Sequence, residues 1–378
     1  MNRWAPGAFM MAKINSQIRI ESVPLISILV ILAIYVLVTL ITAIAAVVAG
    51  SPFTLWFKDT EIVLAAVVIL LVALGIVWDG LWISAGLISE TLGPWTLPGL
   101  DTSLTVESVR RIRFFTCGLS PTVMIVATAF VILGTSNITL LSLKLVGNVT
   151  EWRDPIFWAI EQPVFDGLTR LPVNAAAWDR LYHSAWGIEL IAAFILVLLA
   201  RGPRIVAHYC VSLILLFYVG RWLGLLNPVM GPAFYRPEAF GYLSGSATAT
   251  AMREVAAIMA QSPEQAIHRG AVLLGGVSAM PSLHVAMVAV TAFWLAMAKR
   301  WTLYITGPWV LLVWTSTVVL GWHYVLDGAG GILLAVLCAV LTSRSLASLG
   351  LGFPGSSGAT ESIERSRFRG ALPRHGNQ

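Results

Sequence analysis

Long runs of apolar residues free of charge dominate the chain, and their length sets the first inference. Residues 22–57 contain no Lys, Arg, Asp or Glu. A helix needs about 20 apolar residues to cross the hydrocarbon of a bilayer, so this window predicts a first span at 24–50. It is too long for a signal-peptide core. A second span is expected at 62–85, interrupted only by Asp79, and a third within 114–143. The fourth and fifth follow at 184–200 and 205–225, the sixth in the charge-free window 270–298, the seventh at 301–322 and the eighth at 328–342. The pattern predicts an all-α, polytopic membrane bundle of about eight transmembrane helices. The first two can form a hairpin beside a core of six.

The basic residues give this bundle an expected orientation. Arg3, Lys13 and Arg19 precede span one, and Arg110, Arg111 and Arg113 separate two and three. Arg201 and Arg204 separate four and five, and Lys299 and Arg300 separate six and seven. Arg344, Arg365, Arg367, Arg369 and Arg374 follow span eight. Every second junction is basic, which by the positive-inside rule puts both termini in the cytoplasm. The opposite junctions, 137–183 and 226–280, mix both signs and are expected on the periplasmic, extracellular or lumenal side, with the bacterial inner membrane as the expected location. Between them, Asp154-Pro155 reads as an N-cap followed by Pro at the first helical position. Ile156, Phe157, Ile160, Phe165 and Leu168 follow at helical spacing, which predicts an interfacial helix. Asn137-Ile-Thr139 and Asn148-Val-Thr150 fit glycosylation sequons on that side.

Composition agrees and narrows the classes. Hydrophobic residues make up 57% and charged residues 11%, against about 25% charged in a soluble domain. The fifteen Trp suit membrane–water interfaces. The net charge of +5 comes as short clusters beside apolar runs, not as a stripe for nucleic acid. Cys117, Cys210 and Cys338 are isolated in apolar stretches and read as small buried hydrophobes. The organisation expected is an N-terminal segment with a peripheral hairpin at 1–109, a six-helix catalytic core at 110–345, and a basic, flexible cytoplasmic tail at 346–378.

Ionisable residues at membrane depth are functional suspects. Span six opens with Ser278-Ala-Met280-Pro281-Ser282-Leu283-His284, and span seven ends in Gly321-Trp322-His323-Tyr324-Val325-Leu326-Asp327. His323 and Asp327 are four apart and would share a helix face. A carboxylate on one imidazole nitrogen fixes the tautomer and raises the basicity of the other, as nucleophilic attack requires. A turn midway between His284 and His323 would bring both to one membrane level. Zinc is a weaker reading, because these three residues lack a fourth ligand and no HExxH occurs. His183 and His268 are candidates to line a substrate path.

Pro281-Ser282-Leu283-His284 resembles the second motif of the type 2 phosphatidic acid phosphatase superfamily, usually Pro-Ser-Gly-His. His323-Tyr324-x-x-Asp327 resembles the end of its third motif. Leu in the second motif and Tyr after the His are similar to the branch of inositol phosphorylceramide synthases and their bacterial relatives. The resemblance implies a six-helix core over 110–345 and a metal-independent, cofactor-free transfer in two steps. His323 would form a phosphohistidine, Asp327 would orient it, and His284 would serve as acid and then base. Thr317 stands where the third motif has Arg. Arg236-Pro237 fits the end of the first motif, but Val229 replaces its Lys. Phosphate charge would then fall to Arg236 and Arg221, with Arg253 and Arg269 as further candidates and Ser282 adding a hydroxyl or backbone N–H.

Three functions follow as expectations. One is a lipid phosphotransferase moving a phospho-head group from a membrane phospholipid, such as phosphatidylinositol, to a lipid alcohol such as ceramide. Apolar neighbours of the site (Met280, Trp322, Tyr324, Val325, Leu326) favour it by excluding water. Another is a lipid phosphate phosphatase acting on phosphatidic or polyprenyl phosphates. The third is a transporter using the His/Asp cluster. The expected partners are lipid substrates and the bilayer, with no nucleic acid.

Overall fold

A computed structural model describes residues 6–55, 120–146, 152–200, 203–267 and 278–352, with side chains described from residue 25 onward. All regular structure in these residues is helical. The long helices are α1 (Pro6–Ala49), α2 (Ser120–Leu133), α3 (Ser136–Val146), α4 (Asp154–Leu168), α5 (Ala175–Leu199) and α6 (Pro203–Leu226). After the one-turn helix α7 (Pro232–Tyr235) come α8 (Ala247–Met259), the short α9 (Pro263–Ala266), α10 (Leu283–Ala298), α11 (Leu303–Val319) and α12 (Val325–Ser348).

Among the described residues, six segments are long and apolar enough to cross a membrane: Leu25–Ala49, Ser120–Val146, Ala175–Leu199, Pro203–Leu226, Arg300–Val319 and Val325–Ser348. The shorter apolar helix α10 runs among them. These seven coincide with seven of the eight expected spans. The second, at 62–85, lies outside the described residues, as do Arg110, Arg111, Arg113, Cys117, Asn148, Arg201, His268, Arg269 and the tail beyond 352.

Two boundaries differ from the expected ones for clear reasons. The third span does not end at 143. It breaks at Gly134–Thr135 and continues as α3, whose Asn137 amide bonds to the backbone of Thr54 in both directions, at 3.0 and 2.8 Å. Asn137 is therefore buried, and the expected exposed sequon is a tie to the loop after α1. The fourth span begins at Ala175 rather than 184, because Asn174 caps the Ala177 N–H.

α10 sits at the centre, packed on α12, α11, α6 and α5, while α6 packs on α2, α12 and α1. The main core joins Ile31, Met124, Leu196, Ile214, Trp294 and Cys338 from these helices. Trp294 is fully buried, and its indole N–H donates to Ser212 at 3.1 Å. Cys210 and Cys338 are buried thiols within the same core. Gly331 lets α12 touch the start of α10: a Cβ there would stand 2.5 Å from the Ser282 carbonyl oxygen. A second core, with Phe165, Tyr182, Phe240, Leu320 and Tyr324, closes one end of the bundle.

α4 forms at this closed end as its spacing predicts, with Pro155 in the first turn. Its faces are divided otherwise than expected. Phe165 and Glu161 are buried while Ile156, Ile160 and Val164 are exposed. Asp154 does not cap its own helix. Its carboxylate accepts from the Met230 and Gly231 N–H groups at 2.8 and 2.9 Å and from the Tyr324 hydroxyl at 3.2 Å.

Candidate active site

The cavity that holds the site follows from where α10 begins and α11 ends. Ser282 caps α10, its Oγ accepting from Val285 N–H, so His284 stands in the first turn at the helix end. On the other side, α11 stops at Leu320 and the chain turns through Gly321, at φ +71. A Cβ at Gly321 would meet Ala233 at 2.5 Å, so only glycine suits both the backbone and the space. The Thr317 carbonyl then accepts from the N–H groups of Trp322 and His323, at 3.0 and 3.2 Å. This turn delivers His323 opposite His284, with ring centroids 6.4 Å apart.

Asp327 approaches His323 by a route the i,i+4 spacing does not describe. His323 is not helical. It lies in the turn before α12, and Asp327 occupies the first turn of that helix. One carboxylate oxygen, Oδ2, accepts from Tyr324 N–H at 2.8 Å and lies 3.5 Å from His323 Nδ1. Asp327 is fully buried. With Nδ1 buried on the carboxylate side, the imidazole meets the cavity by its other edge.

The cavity has a volume of about 280 Å³ and is lined by His284, His323, His183, Arg221, Tyr182 and Trp186 together with apolar side chains. Arg221 is buried in α6, its Nη1 donating to Thr139 Oγ1 at 2.6 Å. It is the one Arg or Lys among the described residues lining the cavity. The other expected phosphate ligands among the described residues lie elsewhere. Arg236 is half-exposed outside the cavity, over the Tyr235 ring and 3.5 Å from Glu238. Arg253 is exposed and donates to Thr250. Ser282 is fully buried; its backbone N–H is already given to the Asp327 carbonyl at 2.9 Å and its hydroxyl serves as the cap. Val229 and Thr317, at the positions of the two absent cations, are both fully buried, and the Thr317 hydroxyl bonds to the Trp314 carbonyl.

Three acidic residues, of which the sequence singled out only Asp154 and as a helix cap, hold this end in shape. Glu161 accepts from the first two N–H groups of α12, Val325 and Leu326, at 2.6 and 2.7 Å. Asp154 fixes the loop before α7, and Asp179 caps α8 through the N–H groups of Ala247 and Thr248, at 3.0 and 3.2 Å. Such groups satisfy helix-end donors that would otherwise be buried unpaired. Burial raises the pKa of Asp154 and Glu161 above ordinary carboxylates, against the opposing pull of these hydrogen bonds. It also raises that of Tyr324, with the neighbouring Asp154 charge adding to the effect. One signal was present for Glu161: it lies between Phe157 and Phe165 on the apolar side of α4, where a carboxylate needs donors.

A nucleophile-shaped His–Asp pair, a second imidazole and one guanidinium thus face a common cavity. A family model described as PAP2 superfamily matches residues 151–341, half of the chain. The chain belongs to the PAP2 superfamily. No curated protein and no solved structure matches it. The matched stretch runs from α4 into α12 and holds every described residue lining the cavity except Thr139 and Ser142. PAP2 membership makes the protein a phosphatase-like lipid phosphate enzyme of the membrane, in a superfamily of phosphatases and phosphotransferases.

Proposed function

We propose that this PAP2 protein is a lipid phosphotransferase of the inositol phosphorylceramide synthase-like kind, with a phosphodiester lipid as donor. The observation that carries the choice is the charge of the cavity. A phosphomonoester carries close to two negative charges at neutral pH, whereas a phosphodiester carries one. Arg221 is the single Arg or Lys among the described lining residues, and both positions where the family motifs have further cations hold buried uncharged side chains. One buried guanidinium matches one charge, because an excess buried charge costs several kcal/mol.

In the first step, His323 attacks phosphorus through the nitrogen remote from Asp327. The bond from phosphorus to the diacylglycerol oxygen breaks, and His284 gives its proton to that oxygen. The head group is then carried on His323 as a phosphohistidine, with Asp327 stabilising the positive ring. In the second step, His284 takes the proton of the incoming lipid alcohol, whose oxygen displaces His323 from phosphorus. A single imidazole can serve both steps because the nitrogen that gives up a proton in the first is left free to take one in the second. Trp322, Met230, Phe234 and Leu283 line the cavity and limit water, which favours an alcohol as acceptor.

The test uses purified full-length protein in vesicles containing phosphatidylinositol and ceramide, with phosphatidic acid in a parallel reaction. Formation of a phosphoinositol-bearing ceramide together with diacylglycerol supports the reading. Release of inorganic phosphate from phosphatidic acid, with no new lipid in the first reaction, sinks it in favour of hydrolysis.

A further inference from the structure

α5 reaches His284 twice. Tyr182 and Trp186 stand four residues apart on this helix and so share a face. The Tyr182 hydroxyl lies 3.4 Å from His284 Nδ1, and the Trp186 indole N–H donates to Nε2 at 3.0 Å. An indole nitrogen can only donate, so the second bond requires a lone pair on Nε2. Neutral His284 with its proton on Nδ1 satisfies both contacts. Protonated His284 does not, because its Nε2–H would face the indole N–H. Both nitrogens through which His284 could exchange a proton with substrate are therefore occupied by α5.

Trp186 is set for release as well as for contact. It is 46% exposed and meets His284 edge-on, with centroids 5.6 Å apart, while its other ring neighbour is Phe217 at 6.1 Å. All three side chains line the cavity. A substrate oxygen entering toward His323 would compete with the indole for Nε2.

We infer that Trp186 is a positioning residue that holds His284 in its neutral Nδ1–H form until a substrate oxygen displaces the indole from Nε2. The inference rests on the acid–base role given to His284 above. Once the indole is displaced, Nε2 takes a proton from solvent and passes it to the leaving alkoxide. The acceptor alcohol later returns one proton to the same nitrogen, which releases it to solvent as the indole bond re-forms, so the protons balance over a turnover. The other groups facing His284 act on the same equilibrium: Tyr182 and His183 from α5, Arg221 from α6, and His323 from the turn before α12, with Asp327 of α12 behind it. α11 carries no acidic or basic side chain.

The test follows the side-chain nitrogen resonances of full-length protein labelled with ¹⁵N-histidine, without substrate, the His284 signals being assigned by their loss in His284→Ala. Removing a hydrogen bond to the neutral form should let His284 protonate at higher pH in Trp186→Phe, by roughly half to one pH unit, a three- to tenfold gain in proton affinity. The pH profile of kcat should move on the same limb with KM little changed. An unmoved His284 titration, or a uniform fall in kcat with no limb shift, overturns the assignment. Should Trp186→Phe not fold, the bond is read from its other end. His284→Ala should weaken the hydrogen-bonded indole N–H band in the ultraviolet Raman spectrum, and an unchanged band overturns the assignment. The titration needs no turnover. A wild type inactive on every lipid tested therefore refutes the transfer reading without deciding the titration.

Discussion

Replacing Asp327 by Asn removes one charge at a fully buried point and leaves its hydrogen bonds in place. The oxygen Oδ2 accepts from Tyr324 N–H at 2.8 Å and lies 3.5 Å from His323 Nδ1, so an amide oxygen at that position keeps the helix cap. The loss is electrostatic. Attack on phosphorus makes the His323 ring positive, and a carboxylate 3.5 Å away stabilises it by about 4–5 kcal/mol at an effective dielectric of 20. Part of this is already spent in the ground state, so a rate loss of about 10²–10³ is expected. Stability should change by less than about 1 kcal/mol, since a buried charge is removed while its partners stay satisfied. Single-turnover formation of the His323 adduct, measured beside thermal unfolding in detergent, separates the two effects. An Asp327→Asn variant that keeps its unfolding temperature and retains more than a tenth of wild-type rate would refute the role given to the carboxylate.

Arg221→Met should weaken substrate use about ten- to a hundredfold in kcat/KM, the value of a charge-assisted contact. Arg236→Ala, outside the cavity, should leave kcat/KM within about twofold; the reverse order in a steady-state assay would move the phosphate site. Glu161→Ala strands the Val325 and Leu326 N–H groups and should cost about 2–4 kcal/mol, read as a lowered unfolding temperature, with His323 misplaced as α12 loosens. Asp154 and Glu161 have folded-state pKa values raised above their ordinary 3.8 and 4.5. Between the ordinary and the raised values the folded protein binds more protons than the unfolded chain. Their contribution to stability is therefore present at the acid end and is lost as pH rises through the raised values. Unfolding midpoints taken upward in pH from the ordinary carboxylate values should show this fall, and it should flatten in an Asp154→Asn, Glu161→Gln double variant.

Much of this architecture is legible in the order of residues because bilayer thickness is a ruler. Charge-free windows marked seven helices that the structure describes, and the pairing of His284 with His323 followed from two apolar segments joined by a turn. The contact between His323 and Asp327 was expected for a reason that does not hold: it is made across a helix start, not along a helix face. The cation was harder to read. Arg236 sits beside a motif-like Pro yet points outward, whereas Arg221 lies inside an apolar span and turns inward against Thr139. Asp154, Glu161 and Asp179 bond to backbone far away in sequence, and no local pattern names a partner at that distance. The Tyr182–Trp186 pair did have a local signature, two aromatics with polar tips at i and i+4. That spacing occurs equally in interfacial belts, so only the fold brings it to His284.

Covalent chemistry at His323 is open to direct detection. Protein mixed with donor lipid and quenched under denaturing, non-acidic conditions is digested and examined by mass spectrometry for a phosphorus-bearing His323 peptide, in wild type and in His284→Ala. The wild type should show the adduct transiently. His284→Ala should form it more slowly, because the leaving alkoxide is no longer protonated, and should hold it longer once formed, because the acceptor alcohol can no longer be deprotonated. Lipid turnover with no adduct on His323 in either protein would contradict the account.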